Sequence, residues 1–287
     1  MNIKKYRVSD GDGFSLADFS PKDTGKCESS ADVQKTITQN LSQMKELQDR
    51  LYADGKTALL LIFQAMDAGG KDSAIKHVMS GVNPQGVDVF SFKQPSTKEL
   101  SHDYLWRAVK VLPPRGKIAI FNRSYYEDVL IVKVHRLYES HNVPDRCKGE
   151  DTIEKRYGQI RHFEEYLWEN GIVTVKFFLN LSKETQRKRF LERINNKDKN
   201  WKFCLGDIEE RQYWDDYQDA YQSAIAATAT RHSPWYVVPA DKKWFARAVI
   251  STAVLDTLQQ INPQYPKITH AQEAELEECK QRLMEED

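Results

Sequence analysis

The residues best suited to phosphate chemistry lie between positions 64 and 73, in the sequence QAMDAGGKDS. Two consecutive glycines allow a tight turn, so that successive backbone N–H groups can point at one anion. A lysine follows at once, and a helix starting there would direct its positive N-terminal end at the same anion. The spacing therefore predicts a phosphate-binding loop. Its predicted phosphate ligands are Gly69, Gly70, Lys71, Asp72 and Ser73.

Two departures from the usual G-x-x-x-x-G-K-S/T pattern indicate where a metal would bind. Ala65 occupies the first glycine position, and Asp72 replaces the hydroxyl residue that usually holds magnesium. Asp67, inside the loop, is then the candidate ligand, because magnesium favours one or two carboxylates together with water and phosphate oxygens. We predict that Asp67 binds Mg²⁺, with Mn²⁺ as the alternative ion.

A second polar cluster follows the apolar segment Lys117–Phe121 and contains Asn122, Arg123 and Glu127. A polar residue at such a strand end faces the phosphate loop, and the guanidinium of Arg123 suits phosphate oxygens. Glu127 could contact a nucleotide, a magnesium-bound water or an arginine. Alternatively, Ser124 and Glu127 could form the capping box of a helix, and the two interpretations are compatible.

Basic residues concentrate between Lys183 and Lys202, where eight stand against three acidic ones in a chain with 42 of each. Arg189 and Arg193 are four residues apart, which places both on one face of a helix. This face could close over a transferring phosphoryl group and exclude water, or it could be a solvated surface. Nucleic acid is disfavoured as a ligand because aromatic residues here are few and irregularly spaced.

The elements that must position these residues alternate between apolar strands and helices. Predicted strands are Thr57–Gln64, Val87–Phe92, Lys117–Asn122, Ile172–Leu181 and Trp235–Val238. Predicted helices are Lys71–Ser80, Glu99–Val109, Glu127–His135, Thr152–Asn170, Glu184–Ile194, Ile208–Ala227 and Asp241–Gln260. Since strands such as Ala58–Phe63 are apolar on both faces, we predict a three-layer α/β fold with a parallel sheet.

The chain is expected to form one domain over residues 1–287. Residues 1–54 comprise a polar arm without its own core and an amphipathic helix, Asp32–Tyr52. Residues 55–265 form the core, residues 183–215 a lid within it, and residues 266–287 an acidic tail.

Composition excludes several classes of protein. The longest strongly apolar run, Ala58–Phe63, is far shorter than the ~20 residues of a membrane span, and residues 1–13 lack the apolar segment of a secretory signal. The four cysteines are scattered, which is typical of reduced thiols in a cytoplasmic protein. Zero net charge gives no overall attraction to membranes or nucleic acid.

Several further blocks occur in one order along the chain: FKQPS (92–96), DYLWR (103–107), LPPRG (112–116), FNRSYYE (121–127), WKF (201–203) and PWYVV (234–238). Together with MDAGGKD (66–72), they resemble the P-loop family of polyphosphate kinases often called the second polyphosphate kinase family. The resemblance covers about Leu51 to Gln260. It implies a fold similar to thymidylate kinases, with a five-stranded parallel sheet, a helical lid, and assembly as a homodimer or homotetramer.

The resemblance also implies roles for individual residues. Asp67 would bind magnesium, and Lys71 and Arg123 would hold the transferring phosphates. Lys93 and Arg107, with Asn122, would lie near the nucleotide. The polyphosphate path would be lined by Arg189, Arg193, Lys202 and Arg211. Many ADP-using members carry Asn at the position of Glu127, and the Glu here resembles the subgroup that phosphorylates both AMP and ADP.

These observations favour a magnesium-dependent kinase that transfers a phosphoryl group between inorganic polyphosphate and a nucleoside mono- or diphosphate, with adenine or another base. Catalytic roles fall to Asp67, Lys71, Arg123 and Glu127. One alternative is an ATP-dependent nucleoside monophosphate kinase, which would need an adenine pocket for its donor. Another is a non-catalytic, nucleotide-sensing scaffold.

Overall fold

The computed structural model describes residues 1–286, apart from the side chain of Lys202. One mixed sheet forms its centre. Its strands are β1 (Arg7–Val8), β2 (Ala58–Gln64), β3 (Val87–Ser91), β4 (Ile118–Asn122), β5 (Ile172–Asn180) and β6 (Trp235–Pro239). The order is β1-β6-β5-β2-β4-β3, in which β1 runs antiparallel to β6 and the other five strands are parallel. The predicted five-stranded parallel core is confirmed.

Helices flank this sheet in the part of the chain described. They are α1 (Ala31–Asp54), α2 (Lys71–Val78), α3 (Thr97–Leu100), α4 (Trp106–Val109), α5 (Ile131–Val134), α6 (Thr152–Glu169), α7 (Lys183–Asn195), α8 (Leu205–Glu210), α9 (Trp214–Thr228), α10 (Lys243–Ile261) and α11 (His270–Met284). One group packs α10 against α1 and α2, and another packs α9 against α5 and α6. All seven residues of β2 are buried, as expected for a strand covered on both faces.

Three predicted helices are interrupted. The segment 99–109 divides into α3 and α4, where the Asp103 carboxylate accepts a hydrogen bond from the Leu105 N–H (3.0 Å) and forms a turn. The segment 127–135 is a 3₁₀ helix, Tyr125–Val129, followed by α5. The segment 208–227 spans α8, a 3₁₀ turn and α9.

The first thirty residues, predicted to be a polar arm without a core of its own, contribute apolar side chains to the main core. Ile3, Tyr6, Val8 and Leu16 are all buried in it. β1 pairs with the edge strand β6, which supplies a partner for backbone groups that would otherwise be unpaired. This segment therefore covers one edge of the sheet.

No helix in residues 1–286 combines the length and the apolar character that crossing a bilayer requires.

A fully buried ion pair lies behind the carboxyl side of β4. The Lys176 ammonium is 2.5 Å from Oε2 of Glu164, and both side chains are inaccessible to solvent. Glu164 also accepts hydrogen bonds from the hydroxyl groups of Tyr125 (2.9 Å), Tyr126 (2.8 Å) and Ser233 (2.8 Å). Because the two tyrosines directly follow Arg123 and Ser124 in the chain, this network anchors the segment that carries the polar cluster.

Lys176→Met is expected to lower the free energy of unfolding by about 3 kcal/mol, because it leaves the Glu164 carboxylate buried without its counter-ion. This loss is at the low end of the range typical for breaking a buried ion pair, because three hydroxyl groups still donate hydrogen bonds to Glu164. Urea denaturation measures it. The double variant Lys176→Met/Glu164→Gln should recover part of the loss, and a double variant less stable than Lys176→Met would contradict this explanation.

Candidate active site

Two polar segments meet at the carboxyl edge of the sheet. In the register between β2 and β4, Phe63 lies opposite Asn122, so both strands end at the same level. The Arg123 N–H donates to the carbonyl oxygen of Phe63 (3.0 Å) and continues this pairing beyond the strand. Residues 65–70 and 122–127 therefore begin side by side, at the edge where parallel α/β folds place their ligands.

The backbone of the phosphate loop requires its glycines. A Cβ atom on Gly69 would lie 2.4 Å from Cβ of Ala65 and 2.7 Å from the carbonyl oxygen of Met66. Gly70 has φ of +95°, which favours glycine, and Ala68 adopts the same left-handed region with φ of +57°. The turn delivers the chain to α2, whose first residue is Lys71. The N-terminal end of this helix therefore borders the loop.

Lys71 is enclosed by the loop, with only 9% of its surface exposed. Its ammonium donates a hydrogen bond to the carbonyl oxygen of Ala65 at 2.8 Å. Burial and the neighbouring Arg123 lower the pKa of Lys71 to about 8. Both causes disfavour the charged lysine, and a phosphate oxygen at this position would offset them by supplying the opposite charge.

Arg123 lies between two carboxylates. One guanidinium nitrogen is 2.7 Å from Oδ1 of Asp67, and another is 3.6 Å from Oε2 of Glu127. Glu127, and then Asp67, raise the pKa of Arg123 above its ordinary value. The residue has φ of +62°, a conformation that costs a non-glycine residue of order 1–2 kcal/mol. This backbone turn directs the guanidinium towards the phosphate loop rather than along the strand.

The alternative interpretation, a capping box formed by Ser124 and Glu127, is not observed. Ser124 Oγ accepts its hydrogen bond from the Tyr126 N–H (3.1 Å), at the start of a 3₁₀ helix rather than an α-helix. The Glu127 carboxylate faces Arg123 instead, which is one of the contacts anticipated for it.

Asp67, Arg123 and Glu127 border one cavity of about 260 Å³, which the segment from α7 to α9 closes on the other side. The complete lining is Ala65, Met66, Asp67, Arg123, Glu127, Leu130, Ile131, Gln186, Cys204, Gly206, Asp207, Glu209, Glu210, Arg211, Tyr217 and Tyr221. Arg211 is the predicted polyphosphate ligand that lines it directly, and its guanidinium is held by the carbonyl oxygen of Lys183 (2.9 Å) and Oε1 of Gln186 (2.8 Å).

Arg189 lies directly against the phosphate loop. Its side chain is buried, and one guanidinium nitrogen donates to the carbonyl oxygens of Ala68 (3.0 Å) and Gly69 (2.9 Å). The other donates to the carbonyl oxygen of Ala240 (2.5 Å). These hydrogen bonds hold the phosphate loop against the segment that follows β6.

Four further predicted site residues, Asn122, Asp72, Ser73 and Arg193, pair with neighbouring side chains. Asn122 donates to Oδ1 of Asp72 (2.8 Å), and Ser73 Oγ accepts from Arg247 (3.0 Å). A guanidinium nitrogen of Arg193 is 3.5 Å from Oδ2 of Asp207 at the cavity wall.

Lys93 and Arg107, two residues predicted to lie near the nucleotide, are outside the cavity lining. Arg107 donates to the backbone carbonyl of Lys93 (2.7 Å), and neither residue borders the cavity. The predicted polyphosphate contact of Lys202 lies outside the described residues.

Two residues that line the cavity, Gln186 and Glu210, were not predicted from the sequence. Gln186 donates to the carbonyl oxygen of Asp67 (2.9 Å) and so links the loop to Arg211. Gln186 lies three residues before Arg189, and this spacing puts both side chains on one helical face, which could have indicated that Gln186 also contacts the loop. The Glu210 carboxylate forms hydrogen bonds with Tyr217 (2.7 Å) and His135 (3.0 Å). The spacing of these residues along the chain does not indicate either contact.

The carboxylates around the cavity fit a cation. Five carboxylates line the cavity against two arginines, which gives it an excess of negative charge. Burial raises the pKa of one of them, Asp207, and the charge of Asp67 raises it further. Within residues 1–286, no three histidine, cysteine or acidic side chains form a complete metal-binding group. Mg²⁺ does not need one, because it takes one or two carboxylates and completes its shell with water and phosphate oxygens.

Comparison with known proteins finds relatives over nearly the whole chain. Residues 27–266 match the family described as Polyphosphate kinase 2. An ADP-polyphosphate phosphotransferase of Rhodopseudomonas palustris is 48% identical over 99% of both chains. An AMP/ADP-polyphosphate phosphotransferase of Meiothermus ruber is 44% identical over 94% of this chain and 98% of that protein.

A solved structure supports the same assignment. The crystal structure of polyphosphate kinase 2 from Arthrobacter aurescens TC1 has a TM-score of 0.86, 40% identity and 96% coverage of both chains. The family match spans the phosphate loop, the polar cluster and the segment that closes the cavity. The chain belongs to the polyphosphate kinase 2 family.

Proposed function

We propose that this protein transfers a phosphoryl group between inorganic polyphosphate and adenine nucleotides, and that it accepts both AMP and ADP. The observation that carries the proposal is the convergence of Asp67, Arg123, Glu127 and Arg211 on one cavity beside Lys71. Likeness to relatives named for AMP and ADP adds support for the acceptors.

In the proposed reaction, a terminal phosphate oxygen of the nucleotide attacks the terminal phosphorus of polyphosphate. The P–O bond to the next phosphate breaks, and that oxygen retains the electron pair. The loop amides and Lys71 hold the transferring group, while Arg123 faces its peripheral oxygens. Since the attacking oxygen is already ionised, catalysis rests on positioning and charge stabilisation rather than on a strong general base.

Asp67 is the residue that would hold Mg²⁺, and Glu127, which pairs with the same Arg123, would be the candidate to bind a magnesium-bound water. The ion would neutralise charge on phosphate oxygens. Arg211 and Arg193 approach from the α7–α9 side, where closure would exclude water from the reaction.

The test is an assay of the purified chain with AMP, magnesium and polyphosphate, without added ATP. Formation of ADP and then ATP supports the proposal. A parallel assay with ATP as sole donor to AMP tests the rival nucleoside monophosphate kinase. Transfer from ATP but not from polyphosphate would replace the proposal with that rival, and tight nucleotide binding without turnover would favour a sensing scaffold.

Glu127→Asn is expected to lower the ratio of kcat/KM for AMP to that for ADP by about tenfold, which corresponds to ~1.4 kcal/mol. Removing the carboxylate 3.6 Å from Arg123 would free this guanidinium for the additional phosphate of ADP. Steady-state kinetics with each acceptor measures the ratio. Glu165→Gln, on an exposed position of α6, is the control, and an unchanged ratio in Glu127→Asn would exclude this role.

A further inference from the structure

Residues 14–21 form a strap that contacts both ends of the lid, residues 183–215. At the first end of the strap, Gln222 of α9 binds two backbone groups. Its Oε1 accepts a hydrogen bond from the Leu16 N–H (2.5 Å), and its Nε2 donates to the carbonyl oxygen of Phe14 (2.7 Å). The Leu16 side chain is buried in the main core. The strap is therefore fixed to α9, the helix at the C-terminal end of the lid.

The other end of the strap contacts the carboxyl ends of β5 and β6. The Asn180 side chain, which is buried at the end of β5, donates a hydrogen bond to the carbonyl oxygen of Phe19 (2.7 Å). Just beyond β6, the Asp241 N–H donates to the carbonyl oxygen of Pro21 (3.1 Å). Both bonds bind the backbone of the strap, so they fix its path beside the start of α7.

Asp241 also holds the residue from which the lid starts. Its two carboxylate oxygens accept hydrogen bonds from the N–H and the hydroxyl group of Ser182, both at 2.8 Å. Ser182 precedes α7 and caps it by accepting a hydrogen bond from the Thr185 N–H (3.1 Å). A carboxylate beside this helix end is also favourable because the N-terminal end of a helix is positive. Asp241 therefore joins the strap to the base of the lid.

The same short segment is connected to the phosphate loop. Arg189 donates hydrogen bonds to the carbonyl oxygen of Ala240 and to those of Ala68 and Gly69 in the loop. The strap, the base of the lid and the phosphate loop therefore meet at two successive residues, Ala240 and Asp241. A shift of this segment would change the direction in which α7 leaves the sheet, relative to the loop.

We propose that Asp241 is a positioning residue for phosphoryl transfer, and that the strap supports it so that the lid closes in the correct place over the phosphate loop. This role deepens the proposed function and rests on it. Arg211 of the lid lines the cavity, and Arg193 pairs with Asp207 at the cavity wall. Because groups about 1 Å out of place can cost about 10²-fold in rate, the direction of α7 affects what these arginines contribute. Asp241 itself is outside the cavity lining, so it would act through the lid.

A misplaced lid has a specific chemical consequence, because closure excludes water from the reacting phosphate. Without correct closure, water can replace the nucleotide as the attacking group. Its oxygen forms the new P–O bond, the P–O bond to the next phosphate breaks, and that oxygen keeps the electron pair. The products are inorganic phosphate, a proton and a chain that is one phosphate shorter. The ratio of phosphate released to nucleotide phosphorylated therefore measures how well the lid is positioned.

The test compares Asp241→Ala with Asp241→Asn in the full-length enzyme. Alanine removes both acceptors of Ser182, so kcat with polyphosphate should fall about 10- to 100-fold and the ratio of hydrolysis to transfer should rise about tenfold. Asparagine keeps an oxygen opposite the Ser182 N–H and places an amide donor opposite the hydroxyl oxygen. It should therefore restore most of the turnover and the low ratio. Phosphorylated nucleotide and free phosphate are measured in the same reaction.

Gln222→Leu tests the strap independently, because it removes both hydrogen bonds to the strap and leaves the cap of α7 in place. The ratio of hydrolysis to transfer should rise in this variant too, by a smaller factor.

Asp18→Ala, at an exposed position of the strap, is the control and should behave as the unsubstituted enzyme does. Thermal unfolding verifies that each variant folds, and if Asp241→Ala does not, Gln222→Leu decides. The positioning role is refuted if Asp241→Ala keeps both kcat and the ratio, if Asp241→Asn is equally impaired, or if Gln222→Leu leaves the ratio unchanged. In each of these cases the proposed function stands. If the unsubstituted enzyme transfers no phosphate from polyphosphate, the proposed function fails and the positioning role fails with it.

Discussion

Lys71→Met is expected to lower kcat with polyphosphate about 10²–10³-fold, the loss typical of removing one preorganised donor from a transition state. The ammonium is held within the phosphate loop, 2.8 Å from the carbonyl oxygen of Ala65, before any substrate binds. In the proposed reaction it would therefore face the transferring phosphoryl group without further rearrangement. Methionine fills the space of the lysine stem and removes only the charge and its donors. Steady-state kinetics at saturating nucleotide and polyphosphate measures the effect.

Stability distinguishes a catalytic loss from a folding defect in this variant. A buried ammonium is costly, so Lys71→Met should leave the melting temperature unchanged or raise it. Lys76→Gln, at an exposed position of the same helix, is the control and should retain normal turnover. Retention of more than about a tenth of kcat by Lys71→Met would overturn the assignment of Lys71 to the transferring phosphate.

Asp67→Asn is expected to lower turnover about 100-fold at ordinary magnesium concentration and to raise the magnesium concentration needed for half-maximal rate by at least about tenfold. The asparagine oxygen can still accept the hydrogen bond that Arg123 now makes to Asp67 at 2.7 Å. Loss of the negative charge is then the main change. A magnesium titration of the rate measures the kinetic effect, and titration calorimetry with Mn²⁺ measures binding directly.

A carboxylate remote from the cavity serves as the control for Asp67. Asp88 of β3 is paired with Lys117 at 3.6 Å and lies outside the cavity lining, so Asp88→Asn should keep the magnesium requirement of the unsubstituted enzyme. If Asp67→Asn binds Mn²⁺ with unchanged affinity and needs no additional magnesium, the metal is bound elsewhere.

The phosphate loop and the core of the sheet were predictable because their signals are local. An apolar strand, two glycines and a lysine follow one another within residues 58–71, and the backbone geometry at Gly69 and Gly70 is decided by atoms in that same segment. The pairing of Phe63 with Asn122 follows from two buried strands side by side. Proximity of Asp67 to Arg123 was therefore foreseeable from strand ends alone.

Contacts between distant segments decided the rest. The spacing of Arg189 and Arg193 shows that they share a helical face, yet it is silent on what that face meets. Arg189 lies against carbonyl groups 121 and 51 residues away, whereas Arg193 reaches Asp207. The burial of residues 1–30 also depends on a distant segment, because β1 pairs with the edge strand β6. Residue spacing determines which side chains point together, but only packing over the whole chain determines what they touch.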